Sequence, residues 1–277
     1  MTEPTTVSAP GLRLVETLDL EPFQRPMSAI PARVDEAIER GVQTGPTVTL
    51  ADAPKLLDVG GSGDGLEDCA IRNPDGQLVV ACLTEMPGVS AAMWDWWFAW
   101  HSYTSERYRL WHPRDHVEAS IEHDRRGSPR ARDGWVGNTS YVDEYIGGKM
   151  QRLAIRFVEP ETMGLDQSLV DEIGIAVCAR TALRRERVAA GRLIHLVEDT
   201  VSGCRMHSRF YLGDGESEVP AVGPLITKVL NRHAVRQRLL PDAMGPALLR
   251  HCSEEMNHLA TILPELYETF GPEDADS

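Results

Sequence analysis

Between Val117 and Asp214 six segments follow one another with only polar or glycine-rich turns between them: VEASIEH, TSYVDEYIGG, MQRLAIRFV, EIGIAVCARTAL, GRLIHLVED and RMHSRFYLG. Their β-branched and aromatic residues mark them as strands, and six consecutive strands argue against the alternating pattern of a parallel α/β chain. The longest helical pattern comes after them, from about Asp242 to Phe270. Antiparallel strands closed by one long helix predict an α+β fold in which a curved sheet grips the C-terminal helix and leaves a cavity between them.

Two further strands are expected ahead of these, in EDCAIRN and QLVVACLTEM, on either side of a Pro74-Asp75-Gly76 turn. The preceding stretch LLDVGGSGDG, residues 56–65, has the look of a glycine loop that holds S-adenosylmethionine. After Asp58 only Gly60 falls at the alternate positions such a loop requires, with Ser62 and Asp64 at the next two, and no helix opens from it. It reads as a linker. The chain then divides into residues 1–64, a proline-rich extended arm with a short helix over Ala32 to Val42, and residues 65–277, the helix-grip domain that carries the site.

Residues 89–116 hold five of the six tryptophans. Met93, Trp96, Trp97 and Trp100 recur at helical spacing, which predicts a helix ending before His112 and Pro113. Such aromatics build core in most proteins, yet this many together can also wall a pocket for a flat ring.

A net charge of −14 argues against a nucleic-acid groove or a basic membrane face. No apolar run approaches the roughly 18 residues of a membrane span and the first residues lack a signal-peptide pattern, so the cytoplasm is the expected compartment. The five cysteines, Cys69, Cys82, Cys178, Cys204 and Cys252, form no close pair and read as small buried residues.

The stretch RHCSEEMNHLATIL, residues 250–263, places four polar groups in a helix. At about 100° per residue Leu248, Leu249, Cys252, Met256, Leu259 and Leu263 form one apolar stripe, and Glu255 lies at its edge. His251 and His258 share that border, whereas Glu254 falls on the opposite, solvent side. A lone buried carboxylate costs several kcal/mol, so Glu255 needs a partner. His251 and Glu255, four residues apart, can share one cation; a buried Glu–His pair or an arginine bridge explains the helix taken alone equally well. In TSYVDEYIGG, strand alternation puts Glu144 in an apolar row with Val142 and Ile146. In WHPRDH, His112 and His116 flank a proline turn. Carboxylates and histidines converging from a turn, a strand and a helix make a site for zinc or another divalent ion.

ERYRLWHPRDH at 106–116, MWDWWFAWHS before it, YVDEYIGG and RHCSEEM together resemble the diacetylphloroglucinol hydrolases and the related phloretin hydrolases over about residues 65–270. The resemblance implies a helix-grip fold of the birch-pollen-allergen type with a smaller N-terminal portion. It implies a zinc enzyme that hydrolyses the carbon–carbon bond between an acyl group and a polyphenol ring, releasing a carboxylic acid. It puts the zinc on His116, Glu144, His251 and Glu255, with His112 the competitor of His116, and makes Tyr108, His195 and Tyr211 substrate-facing. The partner it implies is a small acylated polyphenol; a homodimer stays open. The glycine stretch and DRRGSPRARDG at 124–134 have no counterpart in the family pattern, which leaves the acyl and ring specificity open.

The chemistry explains why such groups are needed. Cleaving an aryl ketone with water makes a ring carbon the leaving group, so zinc would polarise the ketone and supply hydroxide near neutral pH. An acid must then protonate the ring carbon, a role that falls to His195 with Tyr108 and Tyr211 fixing ring hydroxyls. Without the resemblance, His195 in GRLIHLVED reads as a core histidine. A helix-grip small-molecule carrier, or a metal-dependent oxygenase or decarboxylase of aromatic compounds, would use the same cavity.

Overall fold

The computed structural model describes residues 18–58, 63–184, 188–217 and 223–272. Apart from a 3-10 turn at Glu21–Phe23, the chain is irregular up to α1 (Ala32–Arg40), after which come β1 (Val42–Gln43) and a 3-10 stretch at Leu50–Leu57. Then follow β2 (Cys69–Arg72), β3 (Leu78–Pro87), α2 (Ala91–His101), α3 (Ser105–Trp111), β4 (His116–Ile121) and α4 (Ala131–Trp135). The middle of the chain supplies β5 (Thr139–Ile146), β6 (Lys149–Val158), α5 (Gln167–Ile173), β7 (Gly174–Leu183), β8 (Val188–Thr200) and β9 (Gly203–Ser217). Last come α6 (Gly223–Leu230), α7 (His233–Leu239), α8 (Met244–Ala260) and α9 (Leu263–Phe270).

The strands form one curved sheet in the order β1-β2-β3-β9-β8-β7-β6-β5-β4, antiparallel except for the β1–β2 pair. The expected hairpin around Pro74-Asp75-Gly76 exists, and Gly76 supplies the left-handed turn residue with φ of +87°. It adds β3 beside β9, so the sheet's inner face wraps α8. The α+β helix-grip architecture is therefore the one the strand and helix pattern predicts.

Two of the expected helices are each broken in two. The tryptophan segment forms α2 and α3, because Thr104 leaves helical geometry and caps α3 by accepting from the Arg107 N–H at 3.3 Å. The C-terminal helix stops at Ala260 and restarts as α9, where Pro264 has no N–H to offer the Ala260 carbonyl. Apart from Asp95, which accepts from Trp135 Nε1 at 2.8 Å, and the terminal His101, helix α2 is apolar: Trp94 and Trp97 are fully buried, and the rings of Trp96 and Tyr267 meet edge to face at 5.4 Å. Its tryptophans thus build core between α2 and α9.

The central strands are covered on both faces. Val80, Val177, Leu193, Val197 and Met206 pack inward toward α8 and α2. Val79, Ala176, Cys178, Ile194 and Leu196 pack outward under Val48, Ala53, Leu56, Met163 and Val170. Double coverage explains why EIGIAVCA and RLIHLV read as continuous apolar runs. Residues 48–57 are thus packed onto the sheet, while 59–62 of the glycine stretch lie outside the described residues. All five cysteines are free, and among the described residues no helix is long and apolar enough to cross a membrane.

Candidate metal and substrate site

Between α8 and the inner face of the sheet lies a cavity of about 290 Å³. The α3–β4 turn delivers His116 as the first residue of β4, and antiparallel pairing sets Glu144 of β5 directly beside it. A bulge between His116 and Glu118 turns the start of β4 toward the cavity. From the helix come His251 and Glu255, one turn apart.

His116 Nε2 lies 3.5 Å from Glu255 Oε2 and 3.8 Å from Glu144 Oε2, and His251 Nε2 lies 3.9 Å from Glu255 Oε2. Ligand atoms of His116, His251 and Glu255 all fall within 4.8 Å of one another. Glu144 stands outside that mutual group, where its carboxylate accepts a hydrogen bond from the Tyr108 hydroxyl. The Tyr108 ring lies flat on the His116 ring, with centroids 3.9 Å apart and planes 3° from parallel.

All four candidate ligands are nearly excluded from solvent. His116 Nδ1 donates to the Tyr108 carbonyl at 3.1 Å, so its bare Nε2 lone pair points at two carboxylates and meets no donor. Burial holds His116 down at about 3 and pushes Glu255 up from the usual carboxylate range. Burial also acts against protonation of His251, but the carboxylates of Asp115, Glu255 and Glu144 outweigh it and raise this group to about 9. An orphaned imidazole nitrogen facing carboxylates is an arrangement that a cation completes. Two nitrogens and carboxylate oxygens suit zinc, and the 3.5 to 3.9 Å separations are no wider than two bonds of about 2.0–2.2 Å to one shared ion. The residues fit the metal.

His112 belongs to a second, adjoining group, in which ligand atoms of His112, Asp115 and His251 also fall within 4.8 Å of one another. Its Nδ1 accepts from the Asp115 N–H at 3.0 Å, its Nε2 lies 3.4 Å from Glu254, and its ring stacks on His251 at 4.8 Å. Asp115 in turn sits 3.6 Å from His251 Nδ1, the position of an outer carboxylate that orients a ligating imidazole. Glu254 corrects the helical-wheel expectation: it is 8% exposed and pairs with Arg114. The side of α8 away from the sheet is covered by the α3–β4 turn, which a wheel drawn on one helix does not contain.

His195 faces the cavity from β8, held by a 2.7 Å hydrogen bond between Nδ1 and Ser208 Oγ, and burial holds it down at about 4. Tyr211 does not face the cavity. On β9 Ser208, Phe210 and Leu212 alternate inward, so Tyr211 points to the outer core, where its hydroxyl makes no hydrogen bond among the described residues. Phe210 holds the inward place expected of it. The cavity wall also includes Trp111, one of the five tryptophans read as core or as the wall of a pocket, and Phe98, His101 and Gln151, which were not singled out from the sequence. His101 had a signal, one histidine at the end of a tryptophan-rich helix whose other titratable group is Asp95.

Residues 50–268 match the family described as DAPG hydrolase PhiG domain. The chain belongs to this DAPG hydrolase family. It is 29% identical over 260 residues to the 2,4-diacetylphloroglucinol hydrolase of Pseudomonas protegens, covering 86% of this chain and 81% of that protein. It is 31% identical over 201 residues to the phloretin hydrolase of Eubacterium ramulus, covering 70% of this chain and 68% of that one. A START superfamily protein from Mycobacterium smegmatis aligns with 69% of this chain and 97% of its own, at 15% identity and a TM-score of 0.34. The family match takes in His116, Glu144, His195, His251 and Glu255 together with the 3-10 stretch under the outer face.

Proposed function

We propose that this member of the DAPG hydrolase family hydrolyses the carbon–carbon bond between an acyl group and a phloroglucinol-type ring, with a zinc ion held by His116, Glu144, His251 and Glu255. The observation that carries the reading is the buried, partnerless His116 Nε2 between two carboxylates at the wall of an aromatic-lined cavity. When bound, the ion would polarise the ketone oxygen and make hydroxide available from water near neutral pH.

The chain's own residues supply the rest. Water adds to the carbonyl carbon, the bond to the ring breaks, and its electron pair takes up a proton at the ring carbon, leaving a carboxylic acid and the deacylated ring. His195 is neutral in the free site, and its Nδ1 meets Ser208 Oγ at 2.7 Å, which leaves Nε2 toward the cavity. There it takes up the proton that the attacking water gives up and passes it to the ring carbon as the bond breaks, so the imidazole ends neutral as it began. Tyr108 holds Glu144 in place and keeps its phenol protonated, because burial and the Glu144 charge raise it well above the ordinary value. Phe98 and Trp111 give the ring an apolar wall.

Purified protein should carry about one zinc per chain, and a panel of acylated phloroglucinols should yield the deacylated ring plus a carboxylic acid containing one oxygen from labelled water. Consumption of molecular oxygen, or binding without turnover of any panel member, would replace this reading with an oxygenase or a carrier.

A further inference from the structure

The cavity does not end at the ion-ligand cluster. From His195 the cavity lining along β8 continues through Leu193 and Arg192 to Ala189, past a register shift between Gly191 and Ala189, roughly 20 Å of strand. From Glu255 the inward positions of α8 run back through His251 and Leu248 to Met244, about 16 Å of helix. The two run side by side and leave an arm leading away from the cluster. Its walls change character along the way: aromatic rings surround the cluster, whereas Leu153, Leu183, Leu212, Leu230, Leu240 and Met244 line the arm.

Two glycines shape its far end. A Cβ on Gly215 would come within 2.8 Å of the Leu230 side chain, and one on Gly213 within 3.0 Å of Leu240 Cδ1. Bare backbone at these places on β9 lets leucines following from α6 and α7 sit directly on the sheet. The cationic groups nearby are already engaged. Arg192 is paired with Asp214, and Arg236 donates to the Gly213 carbonyl at 2.8 Å and to Asp75 at 2.7 Å. Among the described residues the arm therefore offers aliphatic surface and no free charge.

We infer that the arm receives an aliphatic acyl chain several carbons longer than acetyl, with the scissile carbonyl at the cluster and the ring on the aromatic side. This rests on the proposed acyl–ring hydrolysis, in which the carbonyl must lie between ring and chain. A cavity of about 290 Å³ sits at the small end of ligand pockets, enough for one ring with one chain. Leucine and methionine walls favour a flexible alkyl chain over a second aromatic ring.

The test is a chain-length series, acetyl, butanoyl and hexanoyl phloroglucinol, followed both by kcat/KM and by equilibrium binding read from tryptophan fluorescence. Each added methylene should improve both by about three- to fourfold, the effect of moving one CH₂ from water to an apolar site. Ala189→Leu and, independently, Leu183→Trp should flatten the series by narrowing the arm. Turnover of the acetyl compound with no gain along the series, or variants with an unchanged hexanoyl-to-acetyl ratio, would overturn the arm and leave the hydrolase reading standing. Should no compound be cleaved, that reading falls, and the binding series still decides: a rising affinity supports the arm and a flat one overturns it.

Discussion

On the outer face of the sheet Arg209 is fully buried, and Asp64 meets its guanidinium through two nitrogens at 2.6 Å while the Leu66 and Ser208 carbonyls accept from it as well. On the inner face, at β4 on the edge of the sheet, the charge is left incomplete: the His116 lone pair faces Glu144 and Glu255 with no donor between them among the described residues. A buried pair that satisfies itself serves the fold, whereas buried polar atoms that do not satisfy each other call for a ligand. The sharpest way to break this contrast is to remove one group from each face. Glu255→Ala should abolish zinc retention and turnover while the fold survives. Asp64→Ala should do the reverse, costing about 3–5 kcal/mol by stranding Arg209, with zinc content per folded chain unchanged. Metal analysis and thermal unfolding of both variants check this; matching behaviour would erase the distinction between the faces.

A smaller effect separates binding from proton delivery within the inner face. His195→Ala should slow turnover by about two to four orders of magnitude and retain the metal, since His195 faces the cavity without joining the cluster. A variant that loses zinc would make it part of the ion's surroundings.

How much of this was legible in the sequence follows from which interactions are local. Glu144 was readable because strand alternation is a two-residue rule, and His251 with Glu255 because they lie one helical turn apart. Glu254 was misplaced because its partners, His112 and Arg114, come from a turn some 140 residues away. Tyr211 was misplaced by a single position: in a strand that slip exchanges the two faces, and alternation sets Tyr211 in the outward row of Arg205, His207 and Arg209, opposite Met206, Ser208 and Phe210. The helix breaks at Thr104 and Pro264 carried local signals, a capping threonine and a proline.

Weaker still should be the loss of the carboxylate behind His251. In the metal-free protein His251, raised to about 9, holds a proton at neutral pH, so ion entry must release it. Apparent zinc affinity should therefore climb as pH rises toward about 9 and flatten above it. Asp115→Asn removes one of the carboxylates that hold this group up. The flattening should move to lower pH, and affinity on the plateau should fall by about 10- to 100-fold through poorer orientation of the ring. Calorimetric titration across pH checks both, and an unshifted profile would remove Asp115 from the site.

The smallest effect is expected at Tyr211, and it tests the partition most directly. Tyr108 and Tyr211 are both buried phenols of one chain, yet the hydroxyl of Tyr108 donates to Glu144 while that of Tyr211 sits in the outer core with no partner among the described residues. Removing a buried hydroxyl that makes no bond forfeits nothing and relieves its desolvation, so Tyr211→Phe should leave kcat/KM within about twofold and raise stability by up to about 1 kcal/mol. Tyr108→Phe, by contrast, takes from Glu144 the hydroxyl that donates to it and should cut turnover sharply. If Tyr211→Phe lowers turnover as much as Tyr108→Phe, then β9 presents its other face to the substrate, and Phe210 and the aliphatic arm beyond it would have to turn outward with it.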